Sequence, residues 1–211
     1  MHLRNLGFSK LTYSEVILTI RYEDTVNIAP IGVLLEDDKH LSSRVYKGQR
    51  ICELISKGAI DCVLNITRNP KLFYDAIFNK NAIPHHPSET VSSPRVEGCD
   101  AYVECSIVHV EDHREYVRVL LKPQLTKTYP RIARTYNRAE PAVIEALICF
   151  TKIIHLIENN LEAAESLKER IKIFREIVHH STRNEKLRMM ITEILERSEK
   201  MIRENTAVNK H

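Results

Sequence analysis

The sequence predicts an α+β protein, a mostly antiparallel β-barrel followed by an α-helical bundle. Three observations predict it. All eight prolines lie at or before Pro141 and all five glycines at or before Gly98, so residues 142–211 contain neither helix breaker. That tract is rich in Glu, Lys, Leu, Ile and Arg, side chains that lose little rotamer freedom in a helix. Upstream, the apolar residues come in short β-branched runs separated by acidic turn segments, which is strand texture. The change of character divides the chain into domains at 1–140 and 141–211.

Taken in order, Val16-Ile17-Leu18-Thr19-Ile20, Val33-Leu34-Leu35, Cys62 to Ile66, Tyr102 to Val110 and Tyr116 to Leu121 read as strands. Glu23-Asp24, Glu36-Asp37-Asp38 and Glu111 to Arg114 carry turn chemistry, and the last joins two runs able to pair as a hairpin. Gln49 to Lys57 and Pro70 to Phe78 read as short helices. The second opens with Asn69 as cap and Pro70 at the first helical position, where the missing N–H is harmless. A small barrel with two helices inserted at its edge accounts for this order. Residues 79–99, with three prolines and the pair His85-His86, read as a long irregular loop and the expected lid of a site.

In the last third, Leu161, Ala164, Leu167, Ile171, Phe174 and Val178 recur at helical spacing, as do Leu187, Met190, Ile191, Ile194, Leu195, Met201 and Ile202. Breaks fall at Glu158-Asn159-Asn160 and Ser181 to Asn184, where Asn, Ser or Thr can cap the next helix. Three helices follow, at about 141–158, 160–180 and 184–204. The stripes do not sustain a heptad, which favours a bundle over a dimerising coiled coil.

A chain of 211 residues buries on the order of 70% of its unfolded surface, so it needs neither disulfides nor a structural metal. Five cysteines without CxxC spacing fit reduced packing thiols. No run approaches the roughly 18 apolar residues of a membrane span, and no secretory leader is read at Met1 to Lys10. A cytoplasmic protein is expected. With 31 Lys+Arg against 28 Asp+Glu, the net charge of +3 does not call for a nucleic-acid partner.

The richest chemical cluster is Ser42-Ser43-Arg44-Val45-Tyr46-Lys47-Gly48-Gln49-Arg50, between a strand and a short helix. Arg offers a planar fork of donors, Lys a point charge, Gly a close backbone approach, and the helix start free N–H groups. Together these read as a phosphate cradle; solvated basic turn residues are the plainer reading. Nearby, Asn27-Ile28-Ala29-Pro30-Ile31-Gly32 places Pro and Gly inside a strand-like run, leaving backbone groups free to meet the edge of a planar heterocycle. Asn27 and Asn65 are equally readable as satisfied structural amides.

Segment order adds a family resemblance. Asn27, Ala29, Pro30 and Gly32, then Arg44, Tyr46, Lys47 and Gly48, then Asn65 to Thr67, Asn69, Pro70, Leu72 and Phe73, and later Asn137, Arg138 and Ala139 together resemble the DUF447 family. That family consists of mainly archaeal proteins with a flavin-reductase-like, FMN-binding split barrel. The match runs from Gly7 to about Thr151. The resemblance implies an FMN-binding split-barrel domain at 1–140 and a homodimer with FMN between the barrels. It places the phosphate near Arg44, Lys47 and the next helix, and the cofactor among Asn27, Ile28, Ala29, Pro30, Ser43, Arg44, Val45, Tyr46, Lys47, Gly48, Arg50, Asn65 and Asn137. Where the family often carries a hydroxyl, this chain has Ile51, so Arg50 or Ser43 is expected to substitute. Glu15, Asn137 and Arg138 stand either near the site or in the dimer interface.

The implied activity is that of an oxidoreductase moving electrons between a nicotinamide or other reduced carrier and a small substrate. Flavin chemistry asks little of side chains, so no catalytic acid or base is named. His85 and His86 either cover the ring or are merely exposed. The alternatives are a module that holds FMN or another phosphorylated heterocycle without turnover, and an interaction protein using the C-terminal helices.

Overall fold

The structure, a computed structural model, describes residues 3–10, 13–129, 138–182 and 184–208. In chain order its elements are β1 (Ser14–Tyr22), β2 (Thr25–Leu35), β3 (Leu41–Tyr46), α1 (Arg50–Lys57), β4 (Asp61–Ile66) and α2 (Pro70–Phe78). Then come the two-residue strands β5 (His85–His86) and β6 (Arg95–Val96), the long strands β7 (Ala101–Asp112) and β8 (Tyr116–Thr128), and helices α3 (Ala139–Leu156), α4 (Leu161–Ser181) and α5 (Glu185–Val208). Residues 1–132 and 133–211 form two separate units.

In the first unit, side chains of a strand alternate between faces, so one set of alternate residues from each strand can fill a common interior. Val16, Leu18 and Ile20 of β1, Ile31 and Val33 of β2, Leu41 and Val45 of β3, and Cys62 and Leu64 of β4 form that set. Val103 and Cys105 of β7 and Val117, Val119 and Leu121 of β8 complete it. The strands close into an antiparallel barrel in the order β1-β2-β3-β8-β7-β4. Helix α1 adds Ile51, Cys52 and Leu54 to the same core. Each fully buried aliphatic side chain there contributes about 1.5–3 kcal/mol of transfer free energy. The helix stops at Gly58, whose φ of 112° lets the chain turn through the left-handed region while its N–H bonds back to Ile55 and Leu54.

The barrel wall parts at one place. β2 pairs with β3 only through Val33, Leu34 and Leu35 against Ser43, Ser42 and Leu41. Beyond that ladder β2 runs back to Thr25 with partners only on β1, and β3 runs on to Tyr46 with partners only on β8. The two strands therefore diverge as the lips of a split.

The segment 79–99 differs from the expected lid. Ser93, Arg95, Val96 and Cys99 are buried, and the chain is strapped over the outer face of β1, β4 and β7. Asp61 accepts from the backbone N–H groups of Ser92 and Ser93 at 2.9 and 3.0 Å, and Glu104 accepts from those of Glu89 and Thr90 at 3.0 and 2.7 Å. Arg95 Nε donates to Glu104 at 2.6 Å. Prolines and polar residues mark this stretch as irregular, but its backbone is held by buried carboxylates of the barrel. Composition alone does not separate a strap from a lid.

Helix α2 begins as expected, with Asn69 Oδ1 accepting from Lys71 N–H at 3.0 Å. In the second unit α3, α4 and α5 pack on one another through Leu147 and Ile153, Ala164, Ile171 and Val178, and Ile191, Ile194 and Ile202. Asn160 caps α4 by accepting from Ala163 N–H at 3.0 Å, and Asn184 accepts from Lys186 N–H before α5. Among the described residues no helix is long and apolar enough to cross a membrane, and the five cysteines are buried and outside any disulfide.

Candidate functional site

The two motifs singled out in the sequence lie on opposite lips of the split. One lip is β2 over residues 25–32, and the other is the end of β3 with the turn into α1. Ser43 Oγ marks the point of divergence, donating to Gly32 C=O at 2.8 Å.

The β3 lip corrects the expected cradle. Residues 41–46 are a strand, and only Lys47 to Gln49 is turn. Alternation at Leu41, Ser43 and Val45, with Val45 β-branched, carries that signal, and the polar residues between them obscure it. Strand alternation then splits the cluster. Ser43 and Val45 point into the barrel, at 2% and 1% exposure, while Arg44 and Tyr46 point out. Val45 can offer a ligand only its backbone, and the Ser43 proton is already committed to Gly32.

Arg44 is the cation with free capacity. Its guanidinium carbon stands 5.3 Å from the Tyr116 ring centroid, and among the described residues no carboxylate pairs with it. Lys47 reaches Asp112 at 2.6 Å, and Arg50 pairs with Glu53 one turn along α1. Neither pair is buried, so both cations remain able to exchange partners. Gly48 has φ 87°, a conformation that suits glycine, and a Cβ there would meet no atom within 4 Å. No side chain caps α1 at Gln49, so its first-turn N–H groups keep their partial positive charge at the same turn. Ile51 lies in the core at 2% exposure, where a residue on the buried face of α1 is better apolar than hydroxylic.

On the β2 lip, Asn27 is 6% exposed, and its Nδ2 is buried with no hydrogen-bond partner. Ile28 is buried, and Ala29 and Pro30 are half-buried. Pro30 is tolerated because the strand has no partner on its far side. Glu15 sits opposite Gly32 on β1. Asn65 belongs elsewhere, as the satisfied structural amide: Nδ2 donates to Ile17 C=O at 2.9 Å and Oδ1 accepts from Val96 N–H at 2.8 Å, which fastens the strap. His85 and His86 are exposed in β5, also on the strap. Asn137 lies outside the described residues, and Arg138 is at the N-cap of α3.

Beside Arg44, on the outer face of β2, β3 and β8, runs a groove of about 230 Å³ whose walls include Tyr13, Glu36, Ser42, His113, Tyr116 and Arg118. Of these, only Ser42 was singled out from the sequence as a site candidate, within the 42–50 cluster. The available signal was period-two alternation, which puts Tyr116 and Arg118 on the face opposite Val117 and Val119; in His113 the turn reading hid it. Arg118 Nη2 is 2.8 Å from Glu36 Oε1 and Nη1 is 3.7 Å from Glu111. The Ser42 hydroxyl and Arg118 hold the Glu36 carboxyl below the ordinary carboxylate range despite its partial burial.

A six-stranded antiparallel barrel that parts between two strands, followed by helices, defines a flavin-reductase-like split-barrel protein. Residues 14–129, more than half the chain, match the family model described as the N-terminal domain of a protein of unknown function, DUF447, and the chain belongs to that family. Among solved structures it is similar to an FMN-bound DUF447 protein of Methanosarcina mazei. That match has TM-score 0.73 and 20% identity and covers 91% of this chain and 99% of that one. It is also similar in fold to a flavoredoxin of Methanosarcina acetivorans, with TM-score 0.51 and 11% identity over 61% of this chain and 75% of that one. A third match is an NADH:FAD oxidoreductase of Streptomyces globisporus, in complex with NAD and FAD fragments, with TM-score 0.50 and 11% identity over 63% of this chain and 90% of that one. No curated protein matches the chain.

Proposed function

We propose that this protein binds FMN across the split and acts as an FMN-dependent oxidoreductase on a small substrate. The single observation that carries the reading is the split itself. It opposes a lip of unpaired backbone carrying an orphaned buried amide, Asn27 Nδ2, to a lip carrying Arg44, Lys47 and Gly48 beside an uncapped helix start. A planar heterocycle with polar edges suits the first lip, and a phosphate suits the second. The described residues therefore fit the group. That a family neighbour is described as FMN-bound adds support.

In this reading Arg44 and Lys47 hold the phosphate, with Asp112 giving up Lys47 as the anion arrives. The β2 backbone from Asn27 to Pro30 orients the ring, and Asn27 Nδ2 donates to a ring acceptor. Bound FMN would supply hydride transfer, and the chain would supply orientation and exclusion of water. The Ile51 side chain gives the phosphate no hydroxyl, so its cationic partners do the holding. A homodimer is part of the proposal, because Tyr46, Val108 and Val110 are each 40% exposed or more beside the lips and hairpin, leaving apolar surface for a second copy to cover. Action in the cytoplasm is proposed on the five reduced thiols.

The test is the visible spectrum of freshly purified protein, with mass identification of released material, titration with FMN and sedimentation equilibrium. FMN at about one per chain in a dimer is expected. No flavin, and no uptake of added FMN, overturns the reading. Bleaching of the bound flavin by reduced nicotinamide, with reoxidation faster than oxygen alone gives, is expected of the enzyme. Bleaching without such an acceptor would leave a binding module.

A further inference from the structure

The groove beside β3 is built differently from the lips, and its two arginines and two glutamates pair unevenly. On neighbouring strands Arg44 and Arg118 stand directly opposite one another, a like-charge pair that destabilises a sheet unless something compensates it. Arg118 is compensated on both sides, by Glu36 at 2.8 Å and Glu111 at 3.7 Å. Arg44 is not, among the described residues. The Tyr116 ring lies 5.3 Å from its guanidinium carbon and leaves the in-plane N–H donors unused, since no hydrogen bond from Arg44 is formed with a described residue. His113 stacks on Tyr116 with centroids 4.6 Å apart and planes at 22°, so the two rings form a short aromatic stack beside Arg44. Size is the third constraint. About 230 Å³ is below the roughly 300–1,000 Å³ of a drug-sized pocket. One substituted ring fits, and a dinucleotide does not.

We infer that the groove is a second ligand site, for a small planar monoanion such as an aromatic or conjugated carboxylate, its carboxylate on the edge of Arg44 and its ring against the Tyr116–His113 stack. A guanidinium has five N–H donors, so Arg44 can face this site with one edge and the lips with another. Tyr13 supplies a hydroxyl at the rim, and Glu36 and Glu111 deny Arg118 to the ligand while rejecting a second negative charge. Binding at this site does not depend on FMN. That its occupant is the second reactant rests on the flavin reading.

The experiment uses the full chain, with benzoate as probe, benzamide as its neutral isostere, and calorimetry alongside nitrogen-15 chemical-shift mapping, with and without saturating FMN. Benzoate is expected to bind and to shift Arg44, His113 and Tyr116, with benzamide much weaker. Arg44→Gln should lower benzoate affinity roughly 10–150-fold. His113→Ala, at a half-buried position of the β7–β8 turn, should lower it about 2–12-fold and leave the FMN titration unchanged, with melting checked alongside. No binding at millimolar benzoate, equal affinity for benzamide, or strict displacement of benzoate by FMN would overturn the assignment. Failure of FMN to bind while benzoate still does would sink the flavin reading and leave this one standing.

Discussion

Two faces of the same barrel treat polar groups in opposite ways. Under the strap, Asp61, Asn65, Ser93, Arg95 and Glu104 are all buried, and each meets donors or acceptors of the 83–99 segment or of the strands beneath it. At the lips and groove, Asn27 has a buried amide with nothing to bond, Arg44 has donors to spare, and Lys47 and Arg50 are held only by surface carboxylates. A buried polar group with all its partners holds a fold together. One without partners costs about 1–3 kcal/mol, a cost that the proposed ligand would relieve at Asn27.

Glu104 gives the largest expected effect. Glu104→Ala leaves Arg95, at 3% exposure, with only the half-exposed Glu89 carboxylate at 2.9 Å and should cost up to about 3–5 kcal/mol of barrel stability, measured by denaturant unfolding, without altering FMN affinity in the protein that remains folded. The same group sets an acid limit. Burial opposes its ionisation, but Thr90, the backbone N–H of Glu89 and Arg95 together hold the Glu104 carboxyl below its ordinary value. Its contribution is therefore present above the unfolded carboxylate range and is lost as pH falls below about 4. Glu104→Gln should flatten that loss in a pH series of unfolding curves, and an unchanged slope would show the strap face to be less decisive than its hydrogen bonds imply.

Arg44→Ala tests the other face. Loss of a charge-assisted contact of about 1.5–3 kcal/mol should weaken FMN binding roughly 10–150-fold with the melting temperature unchanged, and unchanged affinity would remove Arg44 from the phosphate. Asn27→Leu sharpens the contrast by sign. Removing an unsatisfied buried amide should stabilise the ligand-free protein by about 1–2 kcal/mol while weakening FMN binding; destabilisation would mean that Asn27 has a structural partner after all. The smallest effect is expected from Asp112→Asn, which frees Lys47 from a surface pair worth about 0.2–1 kcal/mol and should tighten FMN or inorganic phosphate binding by no more than about fivefold.

Much of the architecture was legible because it follows from local rules. The absence of Gly and Pro after Pro141, the caps at Asn69, Asn160 and Asn184, and the β-branched runs each act within a few residues of themselves. β3 was obscured because three of its six residues are polar, and strand preference depends on what the neighbouring strands present. The polar motifs drew attention to Asn27 and Asn65 alike, yet which amide would be satisfied depended on a strap contributed from 31 residues further along the chain, at Val96.

By itself, then, the sequence determined the fold class, the helices and their caps, and the residue types that can meet a phosphate, because periodicity, capping and charge are properties of short segments. Only the tertiary structure decided that Ser43 and Val45 face inward while Arg44 faces out, that β2 and β3 part after three pairs, and that Arg118 lies between two carboxylates while Arg44 does not. Those are matters of register and of which strands become neighbours, and burial and pairing arise between segments far apart in the chain.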